Sequence, residues 1–156
     1  MKKFFLLILF LFLTLNFSNF IQYDVSSYKF TENNLISYMK EINLPYPYII
    51  LAQCKLETGN YKSKIFRKNN NLTGMKEAKV RINLAKGTRY NHAYYNHWTE
   101  SIIDYALWYS TYASDCKNEE DFYNLLQRVY AKSPKYVSNL QYIIKNENLK
   151  SKFYEQ

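Results

Sequence analysis

The chain has 156 residues, room for one domain with a real hydrophobic core but not for two. Only 3 glycines and 3 prolines stand beside 17 tyrosines, a composition that argues against a linker-rich or disordered protein. With 21 Lys+Arg against 13 Asp+Glu, a formal +8, the surface favours anionic partners such as nucleic acid, membrane headgroups or acidic wall polymers.

The first twenty residues narrow that choice. Met1-Lys2-Lys3 followed by "FFLLILFLFLTLNF" has the basic and apolar regions of a secretory signal. Its apolar run of about fourteen residues is shorter than the ~20 a spanning helix needs. "NFSNF" is a poor small-residue cleavage site, so residues 1–20 are expected to act as a signal peptide or an uncleaved signal-anchor. The expectation is an exported protein, periplasmic or extracellular, associated with the membrane through that segment wherever it is retained. Export argues against nucleic acid as a partner. Without Lys2 and Lys3 the charge is still 8 − 2 = +6, so the signal does not explain it.

The single domain is expected over 21–156, opening on an irregular lead-in over 21–30. Thr31 can cap a helix in which Leu35, Ile36, Met39 and Ile42 share a face. Pro45 and Pro47 break the chain and start a second helix. There Ile49, Ile50, Gln53, Leu56 and Glu57 fall on one side, and Gly59 is the stop signal. A short helix over 63–68 runs into the polar turn "NNNLTGM". Over 76–97, Val80, Ile82 and Leu84 alternate with Arg81 and Asn83, and "AKG" separates them from a tyrosine-rich run over 89–95. This pattern predicts a β-hairpin. Helical period returns from Thr99, with Ile102, Tyr105, Ala106 and Tyr109 in a stripe and Glu100 and Asp104 as early acids. "NEED" at 118–121 opens a further helix. Ser133-Pro134 predicts an N-cap with proline at the first position of the last one. The fold class is α+β, mainly α with one small hairpin lobe.

Glu57 is the candidate for chemistry. It lies four residues after Gln53 and seven after Ile50, on the inward face, in the turn where the helix presents its negative end. Partial burial and that dipole both disfavour the ionised form, so both raise its pKa. A carboxylic acid still protonated near neutral pH is what a glycosidase needs to protonate a leaving oxygen. Spacing alone equally allows a glutamate merely exposed at a frayed helix end.

"AQCKLETGNYKSKIFRKNNNLTGMK" resembles the glucosaminidase domain of bacterial and phage cell-wall hydrolases, with its A-Q-x-x-x-E-[ST]-G helix end and N-N-L-[FT]-G-[MILF]-[KR] turn. "YYNHWTESIIDYALW" and "RVYAKSPKYV" resemble two later segments of that family, in the same order, so the similarity runs from about Asn43 to Leu140. The resemblance implies a lysozyme-like fold and hydrolysis of the β-1,4 bond after N-acetylglucosamine in peptidoglycan, with Glu57 as general acid. Peptidoglycan glycan strands are then the expected partner, and no cofactor is expected.

A second catalytic group is expected from the hairpin lobe, where Glu77 is the carboxylate on offer between Glu57 and Glu100. Glu77 can activate water or be a surface charge among Lys76, Lys79 and Arg81; the substrate's own N-acetyl group is the other source of assistance. Tyr130, Asn71, Tyr95 and Gln53 are the substrate-binding candidates. For Asn71 the competing role is shaping the turn by side-chain-to-backbone bonds; for Tyr95 it is filling the junction between hairpin and helix, where Trp98 is expected as core. His92 and His97 suggest no metal site. Cys54 and Cys116 can pair in an oxidising compartment but carry no spacing signature, and Cys54 sits in an apolar helix as a small hydrophobe. The second reading is a non-catalytic wall-binding or assembly module that retains the fold.

Overall fold

A computed structural model describes residues 29–130 and 133–154; the signal or signal-anchor expected over 1–20 therefore lies outside the described residues. Helix α1 (Glu32–Glu41) begins where expected, because Thr31 Oγ1 accepts the Asn34 N–H at 3.0 Å. Helix α2 (Pro47–Thr58) has proline in its first turn and ends at Gly59, whose φ of +54° is the left-handed conformation that glycine takes without cost. Every residue from Pro47 to Lys55 is buried, so α2 is the central helix, apolar almost all round. It packs against α1, against α6 (Tyr136–Asn146) and against the short α7 (Ser151–Tyr154). Leu35, Met39, Ile49, Ile50, Leu51, Ile102, Leu126 and Leu140 have no exposed surface. Each such side chain contributes about 1.5–3 kcal/mol of burial.

Lys55 is the charged exception on α2. Its ammonium lies 2.5 Å from Glu32 and 2.8 Å from Glu147, and Lys152 reaches Glu32 at 2.6 Å, which fastens α1, α2 and the C-terminal helices together. On the other side of the core Phe30 meets Tyr61, Phe66 and Trp98 edge-on at 4.6–5.7 Å between ring centroids. Trp98 is 2% exposed, a core residue as its setting suggested.

Helix α3 (Lys64–Asn69) is capped by Ser63 and is followed by an irregular stretch up to the hairpin. Strands β1 (Thr88–Arg89) and β2 (His92–Ala93) pair antiparallel, Thr88 opposite Ala93 and Arg89 opposite His92. Tyr90 and Asn91, both at positive φ (+52° and +60°), form the two-residue turn whose twist suits a hairpin. Backbone bonds Lys86 N–H to Tyr94 O and Tyr94 N–H to Gly87 O extend the pairing. The hairpin is thus much shorter than predicted. Val80 and Ile82, taken from their alternation as strand residues, stand 88% and 79% exposed with no sheet beneath them.

Helix α4 (Trp98–Tyr112) follows, capped by the His97 side chain, and Glu100 accepts the Asn96 N–H at 2.8 Å in its first turn. Helix α5 (Glu119–Leu125), capped by Asn118, runs on into a π-helical turn over Leu126–Tyr130. Helix α6 starts later than Ser133-Pro134 suggested. The Ser133 carbonyl accepts from Tyr136 N and its hydroxyl from Lys135 N, so Ser133–Lys135 form a turn ahead of the helix. Cys54 and Cys116 are unpaired. Among the described residues, no helix is long and apolar enough to cross a membrane.

Candidate active site

Glu57 occupies the last turn of α2, half-buried, where the sequence placed it. Burial pushes its carboxyl above the usual range; a hydrogen bond from Tyr136 and the proximity of His92 oppose that rise without cancelling it. Tyr136 Oη, at the start of α6, donates to Glu57 Oε1 at 3.0 Å across 79 residues of sequence. The same hydroxyl accepts from Gln53 Nε2 at 3.0 Å, and Gln53 Oε1 accepts from the Tyr105 hydroxyl of α4.

The polar turn after α3 meets the acid from the other side. Asn71 Oδ1 accepts from the Thr73 and Gly74 N–H groups at 3.2 and 2.8 Å, while its Nδ2 donates to the Met75 and Ala93 carbonyls, both at 2.9 Å. These four bonds bring Gly74, at φ +69°, against the carboxyl: a Cβ there would lie 2.9 Å from Glu57 Oε2. Tyr130, from the π-helical turn, donates to the Thr73 carbonyl at 2.5 Å and stacks on Tyr136 with ring centroids 6.1 Å apart. The turn, the π-helical turn and α6 are thus fixed to one another around Glu57.

Beyond Gly74 a groove of about 730 Å³ opens between residues 74–81 on one wall and Trp108, Tyr112, Leu125 and Arg128–Tyr130 on the other. Glu57 does not line it; Gly74 and Tyr130 belong to both the groove and the acid's surroundings. Glu77 does line the groove, and its carboxylate accepts from Thr88 Oγ1 at 2.6 Å and faces Lys79 at 3.2 Å. Those hydrogen bonds hold its carboxyl below the usual range, opposite to Glu57.

Among the substrate-binding candidates, Tyr130 alone borders the groove. Gln53, Asn71 and Tyr95 are 0%, 1% and 3% exposed, which corrects the expectation that they touch substrate. Their polar groups are committed inside the protein: Gln53 to two tyrosines, Asn71 to its own turn, and Tyr95 to Asp104 at 2.6 Å. Asp104, expected as an early helix acid, is instead fully buried between Tyr95 and Arg81. The residue the sequence reading passed over is Tyr136. It stands in the "SPKYV" that ends the last resemblance segment. The Cys54 thiol, buried and close to Glu57, is pushed far up, which suits an inert core residue. Among the described residues no group of three or more His, Cys, Asp or Glu is placed to hold a metal.

The domain is mainly helical with a small antiparallel hairpin, and it holds a half-buried carboxyl at a helix end near a groove walled by residues 74–81, an arrangement that suits a glycoside hydrolase. Residues 32–149 match the glucosaminidase family, described as mannosyl-glycoprotein endo-beta-N-acetylglucosaminidase, and the chain belongs to that family. Its fold is similar to the crystal structure of the catalytic domain of the autolysin Auto from Listeria monocytogenes, with 26% identity and a TM-score of 0.53 over 76% of this chain and 80% of that one. No curated protein matches.

Proposed function

We propose that this chain hydrolyses the glycan strands of peptidoglycan at the β-1,4 bond after N-acetylglucosamine, with Glu57 as general acid and Glu77 as the group that activates water. The observation that carries this reading is the opposed tuning of the two carboxyls. Burial favours the protonated form of Glu57, while Thr88 and Lys79 favour the ionised form of Glu77. Environments that push two carboxyls apart in this way support the first as acid and the second as base. In the reaction Glu57 gives its proton to the glycosidic oxygen as the C1–O bond breaks. Glu77 takes a proton from the water that bonds to C1; afterwards Glu77 releases that proton to solvent and Glu57 is reprotonated from it, which restores both groups. The similarity to an autolysin supports a cell-wall substrate. The +6 of the chain without Lys2 and Lys3 suits an anionic wall. Action outside the cytoplasm follows from that substrate and agrees with the signal-like N-terminus.

The test is digestion of purified peptidoglycan followed by mass spectrometry of the new reducing ends. N-acetylglucosamine at those ends supports the reading, and muramic acid there contradicts the bond assignment. Binding to the polymer with no new ends would make the chain a wall-binding module.

A further inference from the structure

The hydrogen-bond chain behind Glu57 has a direction, and that direction bears on where the acid holds its proton. We infer that Gln53, wedged between Tyr105 and Tyr136, is a positioning residue that keeps the transferable proton on Glu57 Oε2, the oxygen facing Gly74. This rests on the reading of Glu57 as general acid.

The argument is a count of protons. The Tyr105 hydroxyl donates to Gln53 Oε1, and Gln53 Nε2 donates to the Tyr136 hydroxyl at 3.0 Å. A phenol has one proton, so Tyr136, already receiving from Gln53, directs its own to Glu57 Oε1 at 3.0 Å. With Oε1 accepting, the neutral carboxyl carries its hydrogen on Oε2. That oxygen faces Gly74, where a Cβ would sit 2.9 Å away. If the Gln53 amide were turned over, its oxygen would take the Tyr136 proton. Glu57 would then donate from Oε1 to the Tyr136 hydroxyl, on the side opposite Gly74.

The observed direction also suits the ionised carboxylate, which can only accept. The chain therefore needs no rearrangement when the proton leaves, which is the preorganisation that lowers a barrier. Gln53 and Tyr105 have no exposed surface, so water does not compete for these bonds. The other titratable groups acting on the carboxyl are Cys54 on α2, Tyr130 of the π-helical turn and His92 on β2. Of these, Tyr130 is already committed to the Thr73 carbonyl.

The test is an NMR titration of the ¹³C-labelled Glu57 side-chain carboxyl in the full chain, with Glu57→Gln to assign the signal. Tyr136→Phe removes a hydrogen bond to the charged form and should raise proton affinity by about tenfold. Tyr105→Phe and Gln53→Met touch no atom of Glu57, yet should raise it about two- to threefold by loosening the Tyr136 hydroxyl. The alkaline limb of kcat/KM should move with each. Should Tyr105→Phe fail to fold, Gln53→Met reads the same link without stranding a buried carbonyl. An unchanged midpoint in the folded distal variants, with only Tyr136→Phe shifted, overturns the inference. If the midpoints move as expected but Glu57→Gln still cleaves, the hydrogen-bond chain stands and the acid assignment fails instead.

Discussion

Arg81 Nη1 lies 2.7 Å from Asp104 Oδ1, and the two side chains are only 6% and 0% exposed. The pair anchors the irregular wall of the groove to α4, and Tyr95 completes the site by donating to the other oxygen of Asp104 at 2.6 Å. Removing one partner of a buried pair leaves the other charge without compensation, at a cost of about 3–5 kcal/mol. Asp104→Ala should therefore lower stability by about that amount in chemical denaturation. The triple change Asp104→Leu, Arg81→Met and Tyr95→Phe should recover most of it, because neither an unpaired charge nor the Tyr95 hydroxyl is then left buried without a partner.

Gly74→Ala tests the approach to the acid. Alanine at a φ of +69° is strained by about 1–2 kcal/mol, and its methyl group would meet Glu57 Oε2. Displacement of a reacting group by about 1 Å can cost ~10² in rate. Turnover should drop by about that factor while the melting temperature falls only modestly. A variant with normal kcat would show that the carboxyl does not work in the position seen here.

The opposed carboxyl shifts predict the pH profile. With Glu77 as the proposed base, activity should fall only at a pH below the usual carboxylate range, where that depressed group protonates. With Glu57 as the proposed acid, it should also fall as pH rises through that elevated group. The profile is a bell whose acid limb disappears in Glu77→Gln, with a rate loss of ~10²–10⁴. If Glu77→Gln is nearly silent, water activation passes to the substrate's acetamide.

Stability should respond to acid through a different residue. Burial alone would raise the Glu32 carboxyl, but hydrogen bonds and charge from Lys152 and Lys55 outweigh it and hold it down to about 2. A depressed acid contributes stability above its unfolded value, near 4.5, and loses it as pH falls through the folded one. The melting temperature should decline between about pH 4.5 and 2, and Glu32→Gln should flatten that part of the curve. An equally steep decline in the variant would assign the acid sensitivity to other groups.

Local signals carried most of the fold. Thr31, Ser63, Gly59 and the apolar periods mark α1 to α3 because capping and amphipathicity act within a few residues. Glu57 was legible for the same reason, since a helix end and an inward face both follow from spacing. Val80 and Ile82 misled because alternation signals a strand only when one face meets a core, and theirs meets solvent. The roles of Gln53 and Tyr136 were not legible. They depend on contacts across 83 and 79 residues, which no local pattern encodes.

Glu57→Gln is the measurement closest to the central claim. The amide keeps the shape of the side chain, can still accept from Tyr136 and suits a half-buried site, so the melting temperature should change little. It has no proton to give, so release of new reducing ends from purified peptidoglycan should fall by at least ~10²–10⁴. Full activity in a folded Glu57→Gln protein would contradict the assignment of this carboxyl as the general acid.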